Sequence, residues 1–312
     1  MSWFIHLHVH SHYSLLEAIW SPEWYLQKAA DLWMHACALS DYHGLYGAIE
    51  FYQKAEKHSI KPLIGVELFC VHDARNHNDH AWWYLVLLAK TTKWYQDLLE
   101  LISFAQMEWY SQIPRIDITT LKQYGSDLYC LIWTPRSMLG ELIMHNESSE
   151  KLHETLQLLK QATHPNQVYC MISAHDENKD QSLKTVNQTI KQLAHETQTA
   201  IVITSDVHYI HKEDQKPFEI ALSIKDWKRI YDETRRKVEH SYHLASLEEI
   251  TAILLKNWYT QSEIDTYASN NGAIAQTIDC TIALNQLLFP AYDSPPAIKE
   301  LFAQHHDSLV EE

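Results

Sequence analysis

Seven short apolar or β-branched runs, "WFIHLHV", "ACALS", "KPLIGVELF", "WWYLVLLA", "LYCLIW", "VYCMIS" and "AIVITSDVHY", recur along the chain, most of them separated by a helix-like segment. The runs are almost continuously apolar, which marks strands covered on both faces. Strand and helix in alternation build a parallel sheet wrapped by helices, and seven repeats favour a closed or distorted barrel over an open sheet. The intervening segments agree. "SPEWYLQKAADLWM" offers Ser21 as N-cap and Pro22 at the first helical position, followed by apolar spacing near 3.6. The pattern changes after His211, which predicts a barrel over residues 1–211 and a mainly helical segment over 212–312, with "FPAYDSPP" reading as a linker.

A barrel of this kind carries its chemistry at the C-terminal ends of the strands. His6, His8, His10 and His12 stand at every second position, so a strand running that far turns them to one face. His8 and His10 lie on the first run, Ser40, Asp41 and His43 follow the second, Glu67 lies on the third, and Asp206 and His208 end the seventh. An HxH, a DxH and a separate Glu at one rim supply imidazole and carboxylate ligands suited to zinc, manganese or iron. Taken singly, each has a plainer explanation: a hydrogen-bonded histidine pair, a loop cap at Asp41 or Glu67, a turn at Asp206 and His208. Together those explanations demand several coincidences at one rim. The scattered histidines, such as His35, His58 and His72, read as solvated or locally hydrogen-bonded side chains.

Charge narrows the function further. With 25 Lys and Arg against 40 Asp and Glu the net charge is −15, the wrong sign for gripping nucleic acid by its backbone. Bound metal cations would supply the missing positive charge. The five cysteines contain no CxxC pair, which points to a reducing compartment rather than a disulfide framework. No leader-like N-terminus and no membrane-length apolar stretch is present, so a cytoplasmic protein without membrane association is expected.

"HLHVHSHYSLLEA", "ALSDYHGLYGAIEFYQKAEKHSIKPLIGVELF", "YLVLLAKTTKWYQDLLELIS", "PRID" and "VITSDVHYIHKED" resemble, in order and spacing, successive motifs of the PHP (polymerase and histidinol phosphatase) domain found at the N-terminus of bacterial DNA polymerase III alpha subunits. "YHLASLEEI" and "LFPAY" are similar to the segment joining that domain to the polymerase proper. The resemblance implies a distorted (β/α)7 barrel with a rim metal cluster that hydrolyses phosphoesters, 3′–5′ exonuclease activity included. It implies a first metal site of His8, His10, Glu67 and Asp206, all present. It implies another of Glu17, where Asp is usual, a histidine whose place is taken by Tyr42 with His43 one residue on, and His208. A further site keeps only Glu67: Tyr84 replaces a histidine, and no clear counterpart of the ligand after the fifth strand exists, Cys130 being the nearest candidate. The expectation is therefore one complete and one partial site for a divalent metal, zinc or manganese, with iron or magnesium as further candidates, and weakened turnover. The substrate would be a phosphoester or nucleic-acid end. The rival expectation is a non-catalytic scaffold that binds replication or repair proteins. No DxD pair that could hold magnesium ions for nucleotidyl transfer occurs, so polymerisation is not expected of this chain.

Overall fold

A computed structural model of the chain describes residues 4–76, 83–108, 113–125, 128–133 and 136–284. The linker expected at "FPAYDSPP" lies outside them. Strands β1 (Ala36–Leu39), β2 (Lys61–Val71), β3 (Trp83–Leu88), β4 (Arg115–Asp117), β5 (Tyr129–Trp133), β6 (Val168–Ser173) and β7 (Ala200–Thr204) form one sheet in the order β1-β2-β3-β5-β6-β7, with β4 paired to β2. Helices α1 (Pro22–Asp31), α2 (Ala48–Lys57), α3 (Thr92–Met107), α4 (Ile118–Tyr124), α5 (Met138–Met144), α6 (Ser149–Ala162) and α7 (Gln181–Glu196) alternate with the strands. The sheet interior is as apolar as the runs predicted, with β1 and β5 buried throughout.

The parallel arrangement breaks at β3. It runs antiparallel to both neighbours, Glu67 facing Val86 and Leu87 facing Cys130. No helix occurs among the described residues between Val71 and Trp83, and a direct return without a crossover helix reverses strand direction. Gly65 lets β2 and β3 approach, because a Cβ there would stand 2.6 Å from the Leu87 carbonyl oxygen.

The first predicted strand forms no full ladder, yet it fills the space between the two ends of the sheet. Ala38 N–H donates to His6 O and Ser40 N–H to Val9 O on the β1 side. Val207 N–H donates to His8 O and His10 N–H to Val207 O just beyond β7. The sheet thus closes through residues 5–10. A helical group, α8 (Gln215–Lys225), α9 (Leu247–Lys256) and α10 (Gln261–Thr277), follows. It belongs to the same compact unit, Met1–Thr281; Ile282–Glu312 form a second unit. Asn271 of α10, fully buried, donates from Nδ2 to Ile5 O and Ile203 O while its Oδ1 accepts from Ile203 N–H, doing with a side chain what a ladder would do at this seam.

Six helices end on non-glycine residues in the left-handed region: Trp33, Ser59, Asn146, Gln198, Trp227 and Trp258. The chain has only 6 glycines to spend on such positions. Among the described residues no helix is long and apolar enough to cross a membrane.

Candidate metal centre

His8 and His10 leave the closing segment on the same side, two residues apart, their rings 4.9 Å from centre to centre. Their Nε2 atoms are 3.0 Å apart. Both meet Oε2 of Glu67, at 2.7 and 3.0 Å, because the β2 register carries Glu67 to the rim beside Tyr42. Oδ1 of Asp206 lies 3.5 and 3.6 Å from the two nitrogens and 3.1 Å from Nε2 of His208. Donors bonded at about 2.0–2.2 Å to one ion stand roughly 3 Å from each other, which is the spacing here.

The outer contacts point the same way. Nδ1 of His8 faces Thr204 Oγ1 at 3.4 Å, Nδ1 of His10 faces Ser14 Oγ at 3.4 Å, and Nδ1 of His208 meets the carbonyl oxygen of Glu17. All three rings therefore aim Nε2 inward, the orientation that outer-shell partners impose on metal-binding histidines. Oε1 of Glu67 is buried without a hydrogen-bond partner among the described residues, a costly state that a cation would relieve. The donor set fits a divalent metal.

The charge balance is that of a cation site. Burial opposes charge on His10, yet the Asp206 and Glu67 carboxylates outweigh it and raise its pKa to about 10. Burial likewise works against ionised Glu67, but His8 and His10 bring it down to about 2. Asp206 is held well below the carboxylate range against its burial by His208, His8 and His10. Its backbone is left-handed, φ 48°, a conformation Asp tolerates, and its N–H is fixed by Thr204 Oγ1 at 2.9 Å.

The other predicted residues are placed differently. Asp41 accepts hydrogen bonds from Ser11 N–H (2.6 Å), Ser11 Oγ (2.8 Å) and Ser14 Oγ (2.7 Å), so both of its oxygens serve the loop. Glu17 turns its carboxylate to Lys225 and, at 3.7 Å, to Arg236. His43, also left-handed at φ 60°, stacks on Phe69 at 4.6 Å, and burial lowers its pKa to about 4. Tyr42 stacks on His10 at 4.3 Å, and Tyr84 packs between Phe69 and Tyr42. Cys130 is buried within β5, its thiol pushed to about 12; Trp133, three residues on, faces the His8 ring at 5.4 Å. His6 binds the Ala245 carbonyl instead of the cluster, and His12 is exposed.

A cavity of about 300 Å³ opens beside Asp206 and His208. Its rings include Tyr42, Trp133, Phe218 and Tyr242, its cations Arg136, Arg236 and Lys237, and Glu17 and Asp180 add carboxylates. The sequence reading missed these cations. They come from the turn after β5 and from the segment after α8, neither of which has a spacing that ties it to the rim.

The PHP domain family model matches residues 6–175. The DNA polymerase III subunit alpha of Borreliella burgdorferi is 32% identical over 253 residues, covering 79% of this chain and 22% of the relative. That of Treponema pallidum is 29% identical, covering 97% of this chain and 26% of the relative. The chain thus spans about a quarter of the length of these curated relatives. Among solved structures, a two-domain protein from Bacteroides vulgatus described as containing a predicted PHP-like metal-dependent phosphoesterase overlaps at 11% identity, covering 81% of this chain and 62% of that chain, with a TM-score of 0.41.

Proposed function

This chain belongs to the PHP domain family, and from that premise we propose that it is a metal-dependent phosphoester hydrolase acting on phosphoesters or nucleic-acid ends, 3′–5′ exonucleolytic cleavage included, in DNA replication or repair. The observation that carries the reading is the convergence of His8, His10 and Asp206, with Glu67 against both histidines, three inward Nε2 atoms and the unpartnered Oε1 of Glu67. A divalent metal, zinc or manganese, would supply Lewis-acid polarisation of a phosphoryl oxygen and a lowered pKa for an attacking water. The protein's own part is to hold that charge in place. Thr204, Ser14 and the Glu17 carbonyl fix the three imidazoles, and Tyr42 shields one face of His10 from water.

Tyr42 and Tyr84 favour a second reading. Burial holds both phenols above their ordinary pKa of 10, so neither offers the anionic oxygen or neutral nitrogen that a further ion needs. A PHP scaffold that binds a replication or repair protein without turnover accommodates such a site. The two readings separate on purified protein by metal analysis and hydrolysis of bis(p-nitrophenyl) phosphate with manganese. The hydrolase reading expects about one tightly held metal, measurable hydrolysis, and loss of both in His8→Ala. Metal without hydrolysis would leave the scaffold.

A further inference from the structure

Among the described residues, the groups that could hold a metal reduce to a single cluster, built on His8, His10 and Asp206. Yet cleaving a phosphodiester calls for positive charge at two places, the attacking oxygen and the leaving one. Arg136 stands beside this cluster, lining the same cavity as Asp206 and His208. Its guanidinium lies 5.8 Å over the Tyr84 ring and 5.8 Å over the Trp133 ring. Trp133 itself packs against His8, so the platform is fixed to the metal centre.

Arg136 differs from Arg236 in its commitments. Arg236 is tied to Asp226 by two hydrogen bonds, 3.0 and 2.6 Å, and leans towards Glu17. Arg136 makes no ion pair with a carboxylate among the described residues; the residue is exposed at the cavity mouth, and its guanidinium hydrogen-bonds the Tyr84 side chain. A charged fork with N–H donors left over beyond its bond to Tyr84, seated on aromatic faces at the mouth of a cavity, is built to take the planar pairs of oxygens that phosphate presents. The indole N–H of Trp133, buried without a partner among the described residues, adds an unused donor in a residue lining that cavity.

We infer that Arg136 is a phosphate-binding residue which provides, from the protein, the second positive charge of a single-metal centre, and that Tyr84 is a positioning residue acting through it. This deepens the hydrolase reading and rests on it for the reaction, while the phosphate site itself stands on the geometry alone. Tyr84 then has a function of its own: its ring holds a guanidinium by cation–π attraction.

The probe is inorganic phosphate, titrated by calorimetry into the full chain, metal-free and manganese-loaded. Wild type should bind it in both states. Arg136→Gln should weaken binding at least tenfold in both, with metal content unchanged and the fold retained by circular dichroism. Arg136→Lys should recover only part of the affinity. Tyr84→Phe, which keeps the ring but loses the hydroxyl bonded to Arg136, should retain most of the affinity, whereas Tyr84→Leu should weaken phosphate several-fold without loss of metal. Phosphate binding that is absent in wild type, or indifferent to Arg136→Gln, overturns the inference; Tyr84→Leu matching wild type overturns the role of Tyr84. Arg136-dependent phosphate binding with no hydrolysis of bis(p-nitrophenyl) phosphate upholds the site and defeats the hydrolase reading instead.

Discussion

His6 belongs to the same every-second-residue series as His8 and His10, but burial and the absence of a carboxylate partner give it the opposite chemistry. Burial outweighs its bond to the Ala245 carbonyl and lowers its pKa from 6.5 to about 4. Between those values the unfolded chain binds the proton and the folded chain does not, so stability rises with pH in that window. The contribution is complete above 6.5 and is lost as pH falls through 4; it amounts to about 3 kcal/mol for His6. His175, lowered to about 3 chiefly by burial, acts in the same direction. We expect the urea midpoint of wild type to fall between pH 7 and 4.5, and to fall less in His6→Asn, which retains a donor but cannot titrate. Equal slopes would contradict the assignment. At this scale the sequence was most readable where the candidate ligands lie close together: HxH and DxH spacings singled out His8, His10, Asp206 and His208, and Glu67 followed from its strand. Asp41 and Glu17 looked equally suitable as ligands. Their fates depend on Ser11, Ser14, Lys225 and Arg236, contacts of the folded chain that no local spacing encodes.

Among the elements, α10 carries more of the barrel than its position in the chain suggests. Replacing Asn271 by Ala strips partners from Ile5 O, Ile203 O and Ile203 N–H in a dry seam, at a cost of about 2–5 kcal/mol. Chemical denaturation should show that loss, accompanied by weaker metal retention, because the segment it fastens presents His8 and His10. Helix ends offer the opposite experiment. Trp227 sits at φ 54° with 96% of its surface exposed, so it bears left-handed strain with almost no packing to offset it. Trp227→Gly should stabilise the protein by about 1 kcal/mol, a rise of roughly 2–4 °C in melting temperature. No change or a decrease would mean that the indole has contacts that offset the strain. Apolar runs and capping residues made most elements legible. Strand direction was not, since an apolar run reads the same both ways, and only its pairing with β2 and β5 reveals that β3 is antiparallel. The seam was invisible too, because a polar Asn in a helix does not announce which backbone it will pair.

For the whole molecule, a net charge of −15 opposes the anions that the candidate metal centre, once loaded, would favour. Electrostatics at long range should repel DNA while the rim attracts a single phosphate, so affinity for single- or double-stranded DNA should be weak and should rise with divalent metal. Fluorescence anisotropy with a labelled oligonucleotide, with and without manganese, tests this; tight metal-independent binding with a steep salt slope would contradict it. The closing segment has one more consequence, in time rather than space. Ile5 waits for Asn271, 266 residues later, and His8 waits for Val207. At ribosomal speeds of about 5–20 residues per second the interval is on the order of tens of seconds. For that long His8 and His10 lack Asp206 and the α10 seam, so an ion held by these ligands together would be captured late, after synthesis has passed α10, and would not seed the fold.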